Sequence, residues 1–245
     1  MTFFEALFLG ILQGITEFLP ISSSGHLVLM ETVFGLEVAE LKSFDVVLHL
    51  GTLLAILLYF WRDLIQPKYW PWLVLGSVPA VIVGVLFEDL IDATFRNAIS
   101  VGILMIVMGL LFQLPERCFK QNKKLKWPHV IAIGLAQAAA IIPGVSRSGA
   151  TILTGTLLGL TREEAARFSF MLGAIAIAGA GFLTALDLTP AEIDLMPTVV
   201  GFFASFGAGL LSVTWLMHYL RRHSFRAFGV YRLFLGALIL IIAAL

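Results

Sequence analysis

Six apolar runs, at about 44–61, 70–87, 97–113, 168–186, 198–220 and 228–245, dominate the chain. Each is close to the roughly 20 residues a helix needs to cross the hydrocarbon core of a bilayer. Apolar residues make up 59% of the sequence and charged residues 13%, at a mean hydropathy of +0.96. That composition excludes a soluble domain and predicts an all-α polytopic membrane protein. Sixteen basic and sixteen acidic residues balance, so net charge points to no partner. One cysteine, Cys118, leaves no intrachain disulfide and no Cys-based metal site. No cleavable signal peptide is expected, because Glu5 stands where a basic n-region would be.

Two further apolar segments are broken in the middle. Residues 3–19 and 26–36 flank the polar stretch Glu17-Phe18-Leu19-Pro20-Ile21-Ser22-Ser23-Ser24-Gly25-His26, and 129–142 and 150–160 flank Pro143-Gly144-Val145-Ser146-Arg147-Ser148-Gly149. An ionisable group inside a membrane costs roughly 2.5–3.5 kcal/mol even on the lenient insertion scale, and it faces a cavity or a partner. Broken backbone at membrane depth is tolerated only where protein or water surrounds it. Both segments therefore read as re-entrant helix–loop–helix hairpins, 3–36 and 129–160, with polar tips turned toward a pocket. Six transmembrane helices plus two such hairpins is the expected count.

The loops orient these spans. Arg117, Lys120, Lys123, Lys124 and Lys126 in 115–127, and Arg221, Arg222 and Arg226 in 221–226, mark cytoplasmic loops by the positive-inside rule. The loop at 187–197, with Asp187, Glu192 and Asp194, and the mostly acidic stretch 88–97 fit the outer side. Connectors are expected at 37–43 (outside) and 161–167 (inside). The halves look duplicated: shifted by 124 positions, Gly10 meets Gly134, Gln13 meets Gln137, and Ser22, Ser24 and Gly25 meet Ser146, Ser148 and Gly149. Repeat 1 is then about 1–114 and repeat 2 about 128–245. One hairpin plus three spans in each gives opposite insertion, and inverted repeats bring broken helices face to face near the midplane.

At that meeting point Ser22, Ser23, Ser24 and His26 join Ser146, Arg147, Ser148 and Thr151. Each tip precedes a helix, and helix N-termini, together with a guanidinium and hydroxyls, suit phosphate oxygens. The structural alternative is that the serines cap helices and Arg147 pairs with Glu17. Glu17 repels phosphate, so it makes sense as ligand to a divalent cation bridging to the phosphoryl group, with Gln13 four residues earlier adding a neutral oxygen. His26 is a candidate acid, base or nucleophile, or else a histidine bonded to a nearby carbonyl. Asp45 and His49 read as interfacial residues, with a cavity mouth as the alternative. His129, His218 and His223 read as interface anchors, and Gly76, Gly84, Gly102, Gly109, Gly201, Gly207 and Gly209 as close-packing positions. No nucleic-acid, nucleotide-loop or haem pattern appears.

Gln13-x-x-x-Glu17, Pro20 to His26 and Pro143-Gly144-Val145-Ser146-Arg147-Ser148-Gly149-Ala150-Thr151 resemble the motifs of bacterial undecaprenyl-diphosphate phosphatases of the bacitracin-resistance type, and the resemblance runs along essentially the whole chain. It implies an interlocked inverted-repeat enzyme of the bacterial inner membrane, its site open to the outer face. Such an enzyme hydrolyses a C55 polyprenyl diphosphate to the monophosphate, returning the lipid carrier to cell-wall synthesis, and depends on Mg²⁺ or Ca²⁺. Carried over, the catalytic residues fall on Glu17, Ser23, His26 and Arg147. Phosphate binding falls to Ser22, Ser24, Gly25, Ser146, Ser148, Gly149 and Thr151, and the metal to Glu17 and Gln13. Many members carry a second Glu where Gln13 stands. The expected partners are the polyprenyl diphosphate and membrane lipids, with a homodimer left open. The nucleophile is open among Ser23, His26 and water. The competing function is an inverted-repeat transporter or flippase for an anionic lipid. A second family of lipid phosphatases, which needs a His soon after its Ser-Arg, does not fit, because only small and apolar residues and threonines follow Arg147 through Leu160.

Overall fold

The computed structural model describes residues 1–36, 41–114, 123–187 and 194–244. They form an all-helical, multi-pass membrane protein: α1 (Phe3–Phe18), α2 (Ser23–Val33), α3 (Lys42–Tyr59), α4 (Trp61–Leu64), a 3-10 turn (Pro67–Tyr69), α5 (Trp70–Phe95), α6 (Ala98–Leu111), α7 (Trp127–Ala139), α8 (Arg147–Leu157), α9 (Arg162–Asp187), α10 (Leu195–Leu220) and α11 (Arg226–Ala244). Among the described residues, four segments are long and apolar enough to cross a membrane: Pro67–Phe87, Arg162–Leu183, Leu195–Leu220 and Arg226–Ala244. The apolar part of α3, Ser43–Tyr59, is shorter, and α6 turns off the end of α5 through 92°. Glu37, Glu40, Arg117, Cys118, Lys120 and Glu192 lie outside the described residues, and with them much of the loop-charge argument.

Polarity is turned inside out relative to a soluble protein. Val74, Val85, Phe203, Leu211 and Phe234 are exposed, while Gln13, Glu17, Ser22, His26, Glu31 and Arg232 are buried. A lipid-facing exterior explains the first set, and the second must find partners inside.

Two boundaries differ from expectation. The 88–97 stretch is not a loop: α5 stays helical to Phe95, and Asp92 pairs one turn on with Arg96 at 3.3 Å. The 161–167 connector is mostly the first turn of α9, which begins at Arg162; the Thr161 hydroxyl accepts from the Glu164 N–H, and the Glu164 carboxylate reaches back to Thr161, a capping box.

The backbone of the first hairpin recurs 124 residues later. Pro20 forces Leu19 out of the helical region, to φ −65° and ψ 139°, which ends α1. After the break, Ser22 (φ 75°) and Ser146 (φ 73°) are the described non-glycine residues with positive φ. A side chain in that region is strained, so the matched pair marks one specialised turn used twice. Each serine opens a helix of 11 residues, α2 and α8. Both end on a glycine at positive φ, Gly35 and Gly159, with matching bonds from the Leu36 N–H to Glu31 O and from the Leu160 N–H to Gly155 O, 2.9 and 3.0 Å.

Packing exchanges the halves. α1 lies along α10, α7 along α5, and α6 along α11. At the first two crossings backbones touch: a Cβ on Gly10 would come within 2.6 Å of Gly201 O, and one on Gly134 within 2.5 Å of Gly76 O. α6 and α11 meet through Gly102 against Gly236 and Gly109 against Gly229, again at backbone contact. Without a hydrophobic drive between helices in lipid, such small-residue contacts carry the association. Gly207, expected to pack, has open space around it.

Candidate active site

The crossing of the two hairpins brings together residues 130 apart. Glu17, on the last turn of α1, is buried and receives the Nη2 of Arg147, the first residue of α8. A cation at a helix N-terminus opposes the helix dipole, and the carboxylate offsets that. Glu17 Oε2 also accepts from Ser23 Oγ at 2.8 Å and from Gln13 Nε2 at 3.0 Å. His49 of α3 brings Nε2 to 3.5 Å of the same oxygen, its Nδ1–H donating to Asp45 O at 2.7 Å. Arg147 itself runs across α9 where Gly173 has no side chain; a Cβ there would overlap the guanidinium.

Arg147 and Ser146 thus do what the structural alternative described. Ser146 Oγ caps α8 by accepting from the Gly149 N–H at 3.2 Å, and Arg147 pairs with Glu17. Yet polar atoms are left over. Arg147 Nη1, Ser22 Oγ and both amide atoms of Gln137 are buried with no protein partner. Buried polar atoms are nearly always satisfied, so the cavity that Arg147 and Gln137 line together, with Nη1 and the amide unpartnered, is where an oxygen-rich anion would bind.

Other expected phosphate contacts are spent elsewhere. Ser148 Oγ donates to Leu19 O at 3.2 Å, tying one tip to the other. Thr151 Oγ1 bonds Arg147 O at 2.7 Å and Ser169 at 2.5 Å, because a hydroxyl one turn into a helix reaches the preceding carbonyl. Gly25 and Gly149 sit in the first turns of α2 and α8, each against the serine that opens its helix. Ser24 is exposed and lines a cavity of about 250 Å³ with Asp45, His49, Asp92 and Arg96. Asp45 and His49 are therefore cavity residues, not interfacial ones.

His26 faces away from the ion pair. Its Nδ1–H donates to Ser22 O at 2.7 Å, so Nε2 is the acceptor for Tyr231 Oη, also at 2.7 Å, and the two rings stack 6° from parallel. Next to Tyr231, Arg232 is fully buried. It donates to Gly144 O, to Val145 O at 3.2 Å, to Pro20 O at 3.3 Å and, more weakly, to Met105 O at 3.4 Å. One guanidinium therefore clamps the bare carbonyls of both broken tips. Sequence reasoning passed over Tyr231, Arg232 and Gly173, and it did not join His49 to Glu17. Arg232 was findable: it is an ionisable residue inside an apolar run, the same signal that singled out Glu17. His129 is a helix cap, its Nδ1 accepting from the Lys126 N–H at 3.1 Å.

For a divalent cation, the unpartnered, buried Gln13 Oε1 stands on the same helix face as Glu17. An amide oxygen and a carboxylate fit a hard cation whose remaining ligands are substrate oxygens and water.

Fold and site together define a multi-pass helical membrane protein with a buried acid–hydroxyl–guanidinium centre at the crossing of two broken helices. Residues 6–238 match the family model described as bacitracin resistance protein BacA, and the chain belongs to that family. It is 44% identical over 259 residues to a protein of Desulforudis audaxviator named undecaprenyl-diphosphatase, covering 99% of this chain and 98% of that one. Proteins of the same name from Pelotomaculum thermopropionicum and Caldicellulosiruptor bescii are 42% and 39% identical, covering 100% and 98% of this chain and 98% and 97% of theirs.

Proposed function

We propose that the chain hydrolyses undecaprenyl diphosphate to undecaprenyl phosphate and inorganic phosphate, returning the carrier lipid to cell-wall synthesis and conferring bacitracin resistance. The observation that carries this is the convergence of Arg147 and Ser23 on Glu17, with Arg147 Nη1 left unpartnered, at one point shared by both hairpins. The full-length relatives named undecaprenyl-diphosphatase support the substrate.

On this reading the outer phosphate takes Arg147 Nη1 and the N-terminus of α8, where donors are already held in place. Ser23 Oγ attacks the terminal phosphorus while its proton passes to Glu17 Oε2, and the bond to the bridging oxygen breaks, releasing undecaprenyl phosphate. Water then attacks the phosphoserine, its oxygen and protons leaving with inorganic phosphate, while Glu17 returns the proton to Ser23 Oγ and restores the hydroxyl. Ser23 is preferred to His26 because its hydroxyl already bonds Glu17, whereas both His26 nitrogens are engaged. Tyr231 and Ser22 O hold that imidazole at the tip. Glu17 and Gln13 would hold Mg²⁺ or Ca²⁺, which supplies neutralisation of phosphate charge.

The chain crosses the bacterial inner membrane six times, α3 and the bent α5–α6 pair included, with two re-entrant hairpins and the site toward the outer face; the basic 221–226 loop supports that orientation. Phosphate release in detergent, where no gradient exists, separates hydrolysis from transport. Arg147→Ala should lower turnover by about 10²–10³ or more while the protein elutes as wild type. Near-normal turnover in that variant would remove the anion clamp.

A further inference from the structure

The two halves repeat their packing glycines around the crossing, Gly10 with Gly134 and Gly201 with Gly76, but the surroundings of one such glycine differ between them. Where α10 passes α1 and α3, the position of a Gly209 side chain is occupied: Phe18 Cε2 lies 3.1 Å from it, Ala55 Cβ 3.4 Å and Thr52 Cγ2 3.5 Å. The counterparts in the other half, counted 125 back for Gly209 and 124 on for the rest, are Gly84, Ile142, Gly179 and Ala176. There the interface is open. A Cβ at Gly179 would meet nothing within 4 Å, and one at Gly84 only Ile141 Cδ1 at 3.8 Å. The space left is a cavity of about 500 Å³ between α5, α7 and α9, within the range of small-molecule sites.

Its two ends differ in chemistry. The inner end reaches Arg147 and Gln137, which carry the unpartnered Nη1 and amide atoms. The walls outward are Val81, Val85, Phe182 and Leu183, all exposed on the lipid-facing side. An occupant must therefore be an amphiphile with an anionic head and a hydrocarbon chain that leaves toward lipid. Two facing glycines make notches one side chain deep, which suit the methyl branches of a prenyl chain and are left empty by a straight acyl chain.

We infer that this groove seats the isoprene units of the substrate's tail beyond the first, with Gly84 and Gly179 as its specificity-determining positions; Gly179 lies six residues along α9 from Gly173, which touches Arg147, or about 9 Å. The inference rests on the phosphatase reading above. It follows that the broken symmetry has a purpose: one crossing is packed solid to hold Glu17, and its twin is left hollow to admit lipid.

The test compares kcat/KM in detergent for a C55 and a C5 prenyl diphosphate. Gly179→Leu fills the groove and should raise KM for the C55 substrate about tenfold or more, the scale on which apolar pockets discriminate, while turnover of saturating C5 substrate stays at wild type. Gly207→Leu, at an equally open glycine outside the groove, should change neither and controls for insertion and folding. An unchanged C55 to C5 ratio in Gly179→Leu leaves the groove to ordinary phospholipid chains and overturns the inference. Equal loss on both substrates assigns the space to hairpin packing and overturns it too. Wild-type protein that releases no phosphate from either substrate refutes the phosphatase reading instead.

Discussion

Replacing Arg232 by Met tests whether one buried guanidinium holds the two hairpin tips together. The methionine keeps an unbranched apolar body but orphans Pro20 O, Gly144 O and Val145 O, which Arg232 reaches at 3.3 Å or less. Leaving a buried acceptor unpaired costs about 1–3 kcal/mol, so three carbonyls set a gross loss of roughly 3–9 kcal/mol. Two effects offset part of it: the cation's own desolvation cost disappears, and water can enter the tips. The expected net loss is about 3 kcal/mol, or a fall in melting temperature of roughly 6–12 °C for a domain of this size. Melting in detergent, followed by retention of the monodisperse peak on size exclusion, reads this directly. Arg232→Lys keeps the charge but gives up the planar fork that reaches both tips, so it should fall between Met and wild type. Were Arg232→Met to melt within about 2 °C of wild type, with full turnover, the clamp would have no energetic content and the tips would be held by helix packing alone.

Gly173→Ala should cut kcat by roughly 10²-fold, the penalty of a misplaced contact, because its methyl overlaps Arg147; an unchanged kcat would mean that Arg147 has room to move. Gly10→Leu should destabilise by about 3 kcal/mol or abolish insertion, since its side chain enters the Gly201 backbone, and a wild-type melting curve would contradict the crossing. Excess EDTA should abolish phosphate release and Mg²⁺ or Ca²⁺ restore it; full activity under chelation would end the metal role of Glu17 and Gln13.

Several features were legible before any coordinates. Run length sufficed for the helices, because in lipid a backbone satisfies itself within the segment. Pro20 and Pro143-Gly144 announced the breaks, since proline lacks a donor and bars helix from the residue before it. The 124-residue offset linked Ser22 to Ser146 in sequence, and both turned out to hold the same positive-φ turn. By contrast, the end of α5 was misjudged: its acids look like a loop in sequence, but in the structure they continue the helix, with Arg96 folded back onto Asp92 and toward Asp45.

What the sequence by itself determined was a multi-pass helical protein with two polar breaks carrying an acid, hydroxyls and a guanidinium. Those follow from local chemistry: apolar length, proline, and the cost of charge in lipid. Only the tertiary structure decided which partners those groups have. His49 lies beside Glu17, His26 under Tyr231, and Arg147 over Gly173, each contact made between different helices. The hollow at Gly84 and Gly179 belongs to the same category. A glycine reads identically in sequence whether a neighbouring helix fills the space it leaves or not, and that depends on how closely two helices approach, which no single segment encodes.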